Sequence, residues 1–221
     1  MPERPITKKY HFSVDGETEK WYFEWLAEQI NTDPNASCRV SFDCKKKSPL
    51  KYAKALNTLE RHTDVYHIFD YESNEEIHAA RFEKTLNAMK QAGDLGKGIR
   101  YKSGFSNFTF ELWIILHKTY YATSLTHRDQ YLSPINKFYK EKFENLHQYK
   151  HEANFKRILR DINLKDVVDA VKRAKEIQLK NKENGYILNN HKGYTYYKEN
   201  PSLMIWESIE KILSDCGLLG N

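Results

Sequence analysis

The sequence predicts an α/β protein, a parallel four-stranded sheet with flanking helices followed by a helical C-terminal extension. Three observations predict it. Strand-like and helix-like segments alternate three times between residues 9 and 91, and a further strand-like run follows at 99–102. The pattern then turns helical after residue 104, and acidic residues stand just past several of the strand-like runs. Repeated strand–helix units imply parallel strands joined by crossover helices. A chain of 221 residues buries one sizeable core. The expectation is a single domain over 1–221, with an α/β core at about 8–117 and a helical extension at about 118–221 packed on it.

Residues 9–14 alternate as a strand and run into Asp15-Gly16. Thr18 to Ile30 places Trp21, Tyr22, Trp25, Leu26 and Ile30 on one helical face, and the turn cluster at 31–35 stops it. Cys38 to Cys44 reads as the second strand. Pro49 to Leu59 reads as a short helix with proline in its first turn. Val65 to Phe69 is the third strand and ends on Asp70. Glu75 to Gln91 is a helix with Ile77, Ala80, Leu86 and Met89 inward, and Ile99 to Lys102 is the fourth strand. Helices are expected at about 108–118, 130–143, 151–161, 165–180 and 202–214, with 185–197 a loop or hairpin.

Composition sets bounds on function. The chain is 40% apolar and 14% aromatic, enough apolar surface to offset the entropy of ordering. The longest apolar run, Phe108 to His117, is interrupted by Glu111 and is about half a membrane span. Met1-Pro-Glu-Arg-Pro5 has no apolar core of a secretory signal. Cys38, Cys44 and Cys216 lack C-x-x-C spacing and read as reduced thiols of a cytoplasmic protein. Of the net charge of +5, residues 111–221 carry +4, which is compatible with a polyanion partner and with a solvated helical surface alike.

Ligands of open α/β sheets bind beyond the carboxyl ends of the parallel strands. Carboxylates follow three such ends: Asp15, Glu17 and Glu19 after the first strand, Asp70 and Glu72 after the third, and Glu111 beyond the fourth. Alternation along an extended chain is expected to turn Asp70 and Glu72 to the same side, and Gly16 to take unusual dihedrals in a tight turn. Separate segments that deliver carboxylates to one edge make a hard-oxygen site suited to Mg²⁺ or Mn²⁺. First-turn acids such as Glu17 and Glu19 also favour a helix dipole without any ligand.

The runs D-G-E-T-E-K-W-Y-F at 15–23, I-F-D-Y-E at 68–72 and S-N-F-T-F-E-L-W-I-I-L-H at 106–117 resemble the RloB-like family, as does N-P-S-L-M-I-W-E-S-I-E-K-I-L at 200–213. Members have Toprim-like (Rossmann-like) folds and are associated with bacterial restriction and abortive-infection loci. The resemblance implies a Mg²⁺- or Mn²⁺-dependent nuclease centre in anti-phage defence, using the phosphodiester chemistry of topoisomerases, primases and OLD-type nucleases. Carried over, Asp15, Glu19, Asp70, Glu72 and Glu111 are the catalytic and metal-binding acids. Ser106, Asn107 and His117 are polar neighbours of the third motif, and His117 is a catalytic candidate that would contact phosphate or orient a carboxylate, its alternative reading being structural. Asp15 replaces the usual Glu, Glu72 the usual Asp, and Phe108 a frequent Pro, with ligands expected to shift accordingly.

Nucleic acid, DNA or RNA, is the expected partner, bound by Lys45, Lys46 and Lys47 after the second strand and by Arg100, Lys102, Ser106 and Asn107 around the fourth. The resemblance to defence-locus proteins also implies an ATPase partner, and this chain shows no ATP-binding loop of its own: Gly93-Asp94-Leu95-Gly96-Lys97-Gly98 lacks P-loop spacing and a Ser or Thr after Lys97. The alternative is a Toprim-like interaction module activated by that partner. An HNH arrangement around Asn189-Asn190-His191 lacks its partner histidines.

Overall fold

Alternation builds the sheet. In β1 (Thr7–Val14) Tyr10, Phe12 and Val14 face one side and His11 and Ser13 the other, and all five are buried. A strand covered on both faces belongs inside a parallel sheet. β3 (Thr63–Asp70) has the same character, whereas β2 (Arg39–Lys46) alternates buried Val40 and Cys44 with more exposed neighbours, as an edge strand does. The computed structural model describes residues 6–58, 60–73 and 75–219. In it β2, β1, β3 and β4 (Ile99–Asn107) lie side by side in that order, all parallel.

The sheet has five strands, not the predicted four. β7 (Ser202–Leu203) pairs antiparallel with Ser106 and Asn107 of β4. Two residues expected to start the last helix are therefore extended, and that helix, α9, runs Ile205–Asp215. The reason lies in β4, which continues five residues past its predicted end. Its outer edge carries backbone groups that need partners. Met204 N–H donates to the Phe105 carbonyl at 2.8 Å in the same way.

Helices cover both faces. α1 (Glu17–Thr32) buries Tyr22, Phe23, Leu26 and Ile30, and its Phe23 ring stacks on Phe12 at 4.1 Å. The same core takes in α4 (Glu111–Leu116), α5 (Leu132–Tyr139), α6 (Leu146–Tyr149), α7 (Glu152–Arg160), α8 (Leu164–Glu183) and α9. The opposite face packs against α2 (Pro49–Ala55) and α3 (Glu76–Gly93). In α3 Leu86 and Met89 point inward as predicted, but Ile77 (72% exposed) and Ala80 face solvent, and Phe82 and Ala92 fill the core instead. The 185–197 segment contains a hairpin, β5 (Asn189–His191) and β6 (Tyr194–Tyr196), whose Tyr196 packs 4.8 Å from the Phe82 ring. Met1–Pro5 and Leu59, the predicted end of the second helix, lie outside the described residues. Cys38, Cys44 and Cys216 are buried free thiols. Among the described residues no helix is long and apolar enough to cross a membrane.

The strand order fixes where a ligand site belongs. From β1 the chain moves outward to β2, then returns to form β3 on the other side of β1. The connections out of β1 and β3 therefore part in opposite directions, and a crevice opens beyond their carboxyl ends.

Candidate functional site

The crevice is a cleft of about 200 Å³ lined by Asp15, Gly16, Glu17, Thr18, Glu19, Asp70, Glu72, Arg81 and Lys150. Asp15 leaves the end of β1, its N–H donating to the Ile68 carbonyl of β3 at 3.2 Å. Gly16 has ordinary extended dihedrals (φ −120°, ψ 166°), contrary to the expectation of an unusual turn. What glycine leaves room for here is the Glu19 carboxylate: a Cβ would lie 2.2 Å from Oε2 and would push that side chain off the turn. The Glu19 carboxylate is thus folded back over the turn, 4% exposed, and accepts a hydrogen bond from Thr18 Oγ1 at 2.9 Å.

Asp70 closes β3 opposite Ser106 of β4. The expected alternation does not continue to Glu72, because the strand stops at Asp70 and Glu72 takes φ +67°. A left-handed conformation in a non-glycine residue costs on the order of 1–3 kcal/mol. It is held here by a 2.8 Å hydrogen bond from Glu72 N–H to the Phe108 carbonyl. The Glu72 carboxylate meets His78 Nδ1 at 2.6 Å, Arg81 at 3.1 Å and Arg128 at 3.9 Å. Glu72 lines the cleft with Asp70, but its charge is largely answered by Arg81 and Arg128.

Glu111 opens α4 and is fully buried, with neither carboxylate oxygen in a hydrogen bond. Lys150, at the end of α6, brings its ammonium 3.0 Å from Glu111 Oε1. Burial alone would pull the Lys150 pKa down, yet Glu111, Asp70 and Glu19 drive it above the ordinary lysine value. Burial raises the Asp70 pKa well above the usual carboxylate range, reinforced by Glu19, Glu111 and Asp15. Glu19 is raised by burial too, with a smaller push from Glu111. The acids compete for too little positive charge.

Behind Asp15 lies His67, fully buried in β3. Its Nδ1 lies 3.0 Å from the Ser13 carbonyl and 2.9 Å from Ser13 Oγ, and a proton on Nδ1 serves the carbonyl, which only accepts. Nε2 then presents a lone pair toward Asp15 Oδ1 at 3.5 Å and has no hydrogen-bond partner. The cleft therefore holds more acceptors than its own donors serve. The hard-oxygen donors available to a cation are Asp15, Glu19, Asp70 and Glu111. Among the described residues, however, no three His, Cys, Asp or Glu side chains are gathered closely enough to hold a metal ion.

The remaining predicted residues divide. Lys46 reaches the rim, 3.4 Å from Glu17, while Lys45 and Lys47 line a different depression with Lys9 and Tyr52. Arg100 and Lys102 are not at this edge: they face Asp64 and Tyr66 across the start of β3, and Arg100 Nε bonds Asp64 at 2.8 Å. Because β4 runs on to Asn107, Arg100 sits roughly 20 Å from the carboxyl end of that strand. Ser106 and Asn107 are buried. Asn107 Nδ2 donates to the carbonyls of Lys198 and Glu199 at 2.9 and 3.3 Å, so it ties down the chain before β7. The Asn107–Phe108 peptide is cis. His117 does not line the cleft. It is 1% exposed, with Nδ1 donating to the Trp113 carbonyl at 2.9 Å and Nε2 accepting from Tyr22 Oη at 3.0 Å. Burial holds its pKa down at about 4.

Sequence reasoning missed His67, Arg81, Arg128 and Lys150. A histidine in the otherwise apolar strand before Asp70 was a usable signal for His67. Nothing local marks Lys150, which lies far along the chain in the helical half.

A family model described as RloB-like protein matches residues 12–212. Searches of curated proteins and of solved structures each found no match. Since the matched span covers most of its length, the chain belongs to the RloB-like family.

Proposed function

We propose that this protein is a Toprim-type, divalent-metal-dependent nuclease that hydrolyses phosphodiester bonds of DNA or RNA in anti-phage defence, with an ATPase partner. One observation carries the reading: Asp15, Glu19 and Asp70 converge at the switch point of the sheet beside buried Glu111, whose two oxygens receive no well-directed hydrogen bond among the described residues, the Lys150 ammonium alone standing 3.0 Å from one of them. Such a surplus of hard-oxygen acceptors fits Mg²⁺ or Mn²⁺. Asp15, Glu19, Asp70 and Glu111 would hold the ion, and its Lewis acidity would activate water and offset charge on the phosphate. Glu72 holds Arg81 and Arg128 at the rim, where, with Lys46, they meet substrate phosphates. His67 backs Asp15 from the core.

A second reading has its own support. Lys150 stands among the acids, and among the described residues no three metal donors are gathered as they stand. On this reading the chain is a Toprim-like module that a partner switches on.

The test is cleavage of labelled single- and double-stranded DNA and of tRNA in Mg²⁺, Mn²⁺ or EDTA, beside Asp70→Asn. Metal-dependent cleavage that Asp70→Asn abolishes is expected. Cleavage that persists in EDTA or survives the substitution would overturn the proposal. Activity that appears only with an added ATPase from the same locus selects the second reading.

A further inference from the structure

We infer that the Lys150 ammonium is the resident counter-ion of the carboxylate cluster and that a divalent cation enters by displacing it; this rests on the metal-site reading above. The backbone that delivers Lys150 is firmly placed. Tyr149 is fully buried, with its ring 5.9 Å from Phe143 and 5.6 Å from Phe155, and Lys150 N–H donates to the Leu146 carbonyl at 2.9 Å. The side chain is looser: it is 38% exposed and lies at the junction of two clefts. One is the acidic cleft. The other, about 530 Å³, is lined by Arg128, Asn145 and His147 among others. Four methylenes on a fixed Cα let the ammonium move between them.

Charge and geometry make the contact replaceable. The ammonium lines the cleft with Glu19 and Asp70 and stands 3.0 Å from Glu111, so one positive charge is shared by three carboxylates. Lys150 approaches Glu111 Oε1 to 3.0 Å, yet both Glu111 oxygens lack a well-directed hydrogen bond. A divalent ion brings twice the charge and accepts several oxygen ligands at once, which an ammonium does not. Among the described residues no three donors are gathered as they stand, so the acids must close in as the ammonium leaves. A purely structural ion pair would make the opposite prediction, since removing Lys150 would then disorder the acids and weaken any ion they bind.

The experiment is Mn²⁺ titration of the full chain by calorimetry, with Mn²⁺ electron paramagnetic resonance as a second readout, for wild type, Lys150→Met, Lys150→Arg and Asp70→Asn. Lys150→Met is expected to bind Mn²⁺ at least about tenfold more tightly than wild type, within the usual range for coupled sites. Lys150→Arg, which keeps the charge, is expected to bind no more tightly than wild type. Near-UV circular dichroism checks the fold, and Lys150→Gln replaces the methionine variant if that one does not fold. Unchanged or weaker binding in the neutral variants, with wild-type binding that Asp70→Asn removes, overturns the displacement and leaves the metal site standing. No Mn²⁺ bound by any variant overturns both.

Discussion

The two ends of the same parallel sheet handle charge in opposite ways. Beyond the amino ends of the strands lies the larger hollow, about 450 Å³, lined by Lys8, His62, Asp64, Arg100, Lys211 and Asp215 among others. There the acids are answered. Asp215 accepts from Lys211 Nζ and Tyr10 Oη, each at 2.8 Å, and Asp64 accepts from Arg100 at 2.8 Å. Burial alone would lift Asp215, but these hydrogen bonds bring it below the usual carboxylate value. At the carboxyl end the hollow is smaller, about 200 Å³, and Glu19 and Asp70 are pushed up. The difference teaches that cavity size and unsatisfied charge single out opposite ends of the sheet. Of the two, unsatisfied charge at a topological switch point is the feature on which the proposed site rests.

The sharpest way to break the comparison is to neutralise one acid at each end. Asp70→Asn is expected to lower cleavage by about 10³-fold or more. Asp215→Asn should leave the cleavage rate unchanged and cost on the order of 1 kcal/mol of stability, because two donors exchange a carboxylate acceptor for a neutral amide oxygen. Denaturation curves and nuclease rates on both variants decide it. Equal effects on activity would mean that the two ends are not functionally distinct.

A buried group with every partner satisfied should show itself through pH. His117 is held neutral, its pKa lowered from 6.5 to about 4. The unfolded chain binds the proton first, so stability is fully present above pH 6.5 and is lost as pH falls toward 4. The full loss is about 3 kcal/mol, and buried His67 adds to it in the same direction. His117→Gln should flatten the profile across that window. A variant as steep as wild type would show that His117 is not the group responsible.

Asp70 and Glu19 work with the opposite sign. Their raised pKa values mean that the folded state binds more protons than the unfolded one above the usual carboxylate range, so stability falls as pH rises through it. Asp70→Asn removes part of that cost. At pH 7 its Tm should rise by about 2–4 °C, the shift expected for roughly 1 kcal/mol in a chain of this size, and the gain should vanish in acid. A lower Tm at neutral pH would contradict the charge imbalance.

The smallest effects concern surface cations. Arg100→Gln should change stability by less than about 1 kcal/mol, as exposed pairs do, and leave nucleic-acid affinity unaltered. Arg128→Gln at the cleft rim should weaken binding and reduce the slope of log affinity against log salt by about one. If Arg100 proved the stronger contributor to binding, the substrate would lie at the other end of the sheet.

Local pattern determined a good deal. Alternation identified β1 and β3, helical spacing identified α1 and most later helices, and the acids after the strands marked the carboxyl edge, because periodicity and strand ends are written into consecutive residues. Three features depended on contacts between distant segments. β7 is two residues long and exists because the β4 edge needed partners, so no period announces it. Arg100 and Lys102 lie away from the carboxyl edge because a strand's length depends on how far its neighbour continues alongside, and β3 carries β4 on past its predicted end to Asn107. Lys150 reaches Glu111 because α6 packs its buried Leu146 and Tyr149 into the core. The sequence by itself determined which acids this protein carries past its strands; the tertiary structure decided which of them lack donors, because desolvation and counter-charge are properties of the packed neighbourhood.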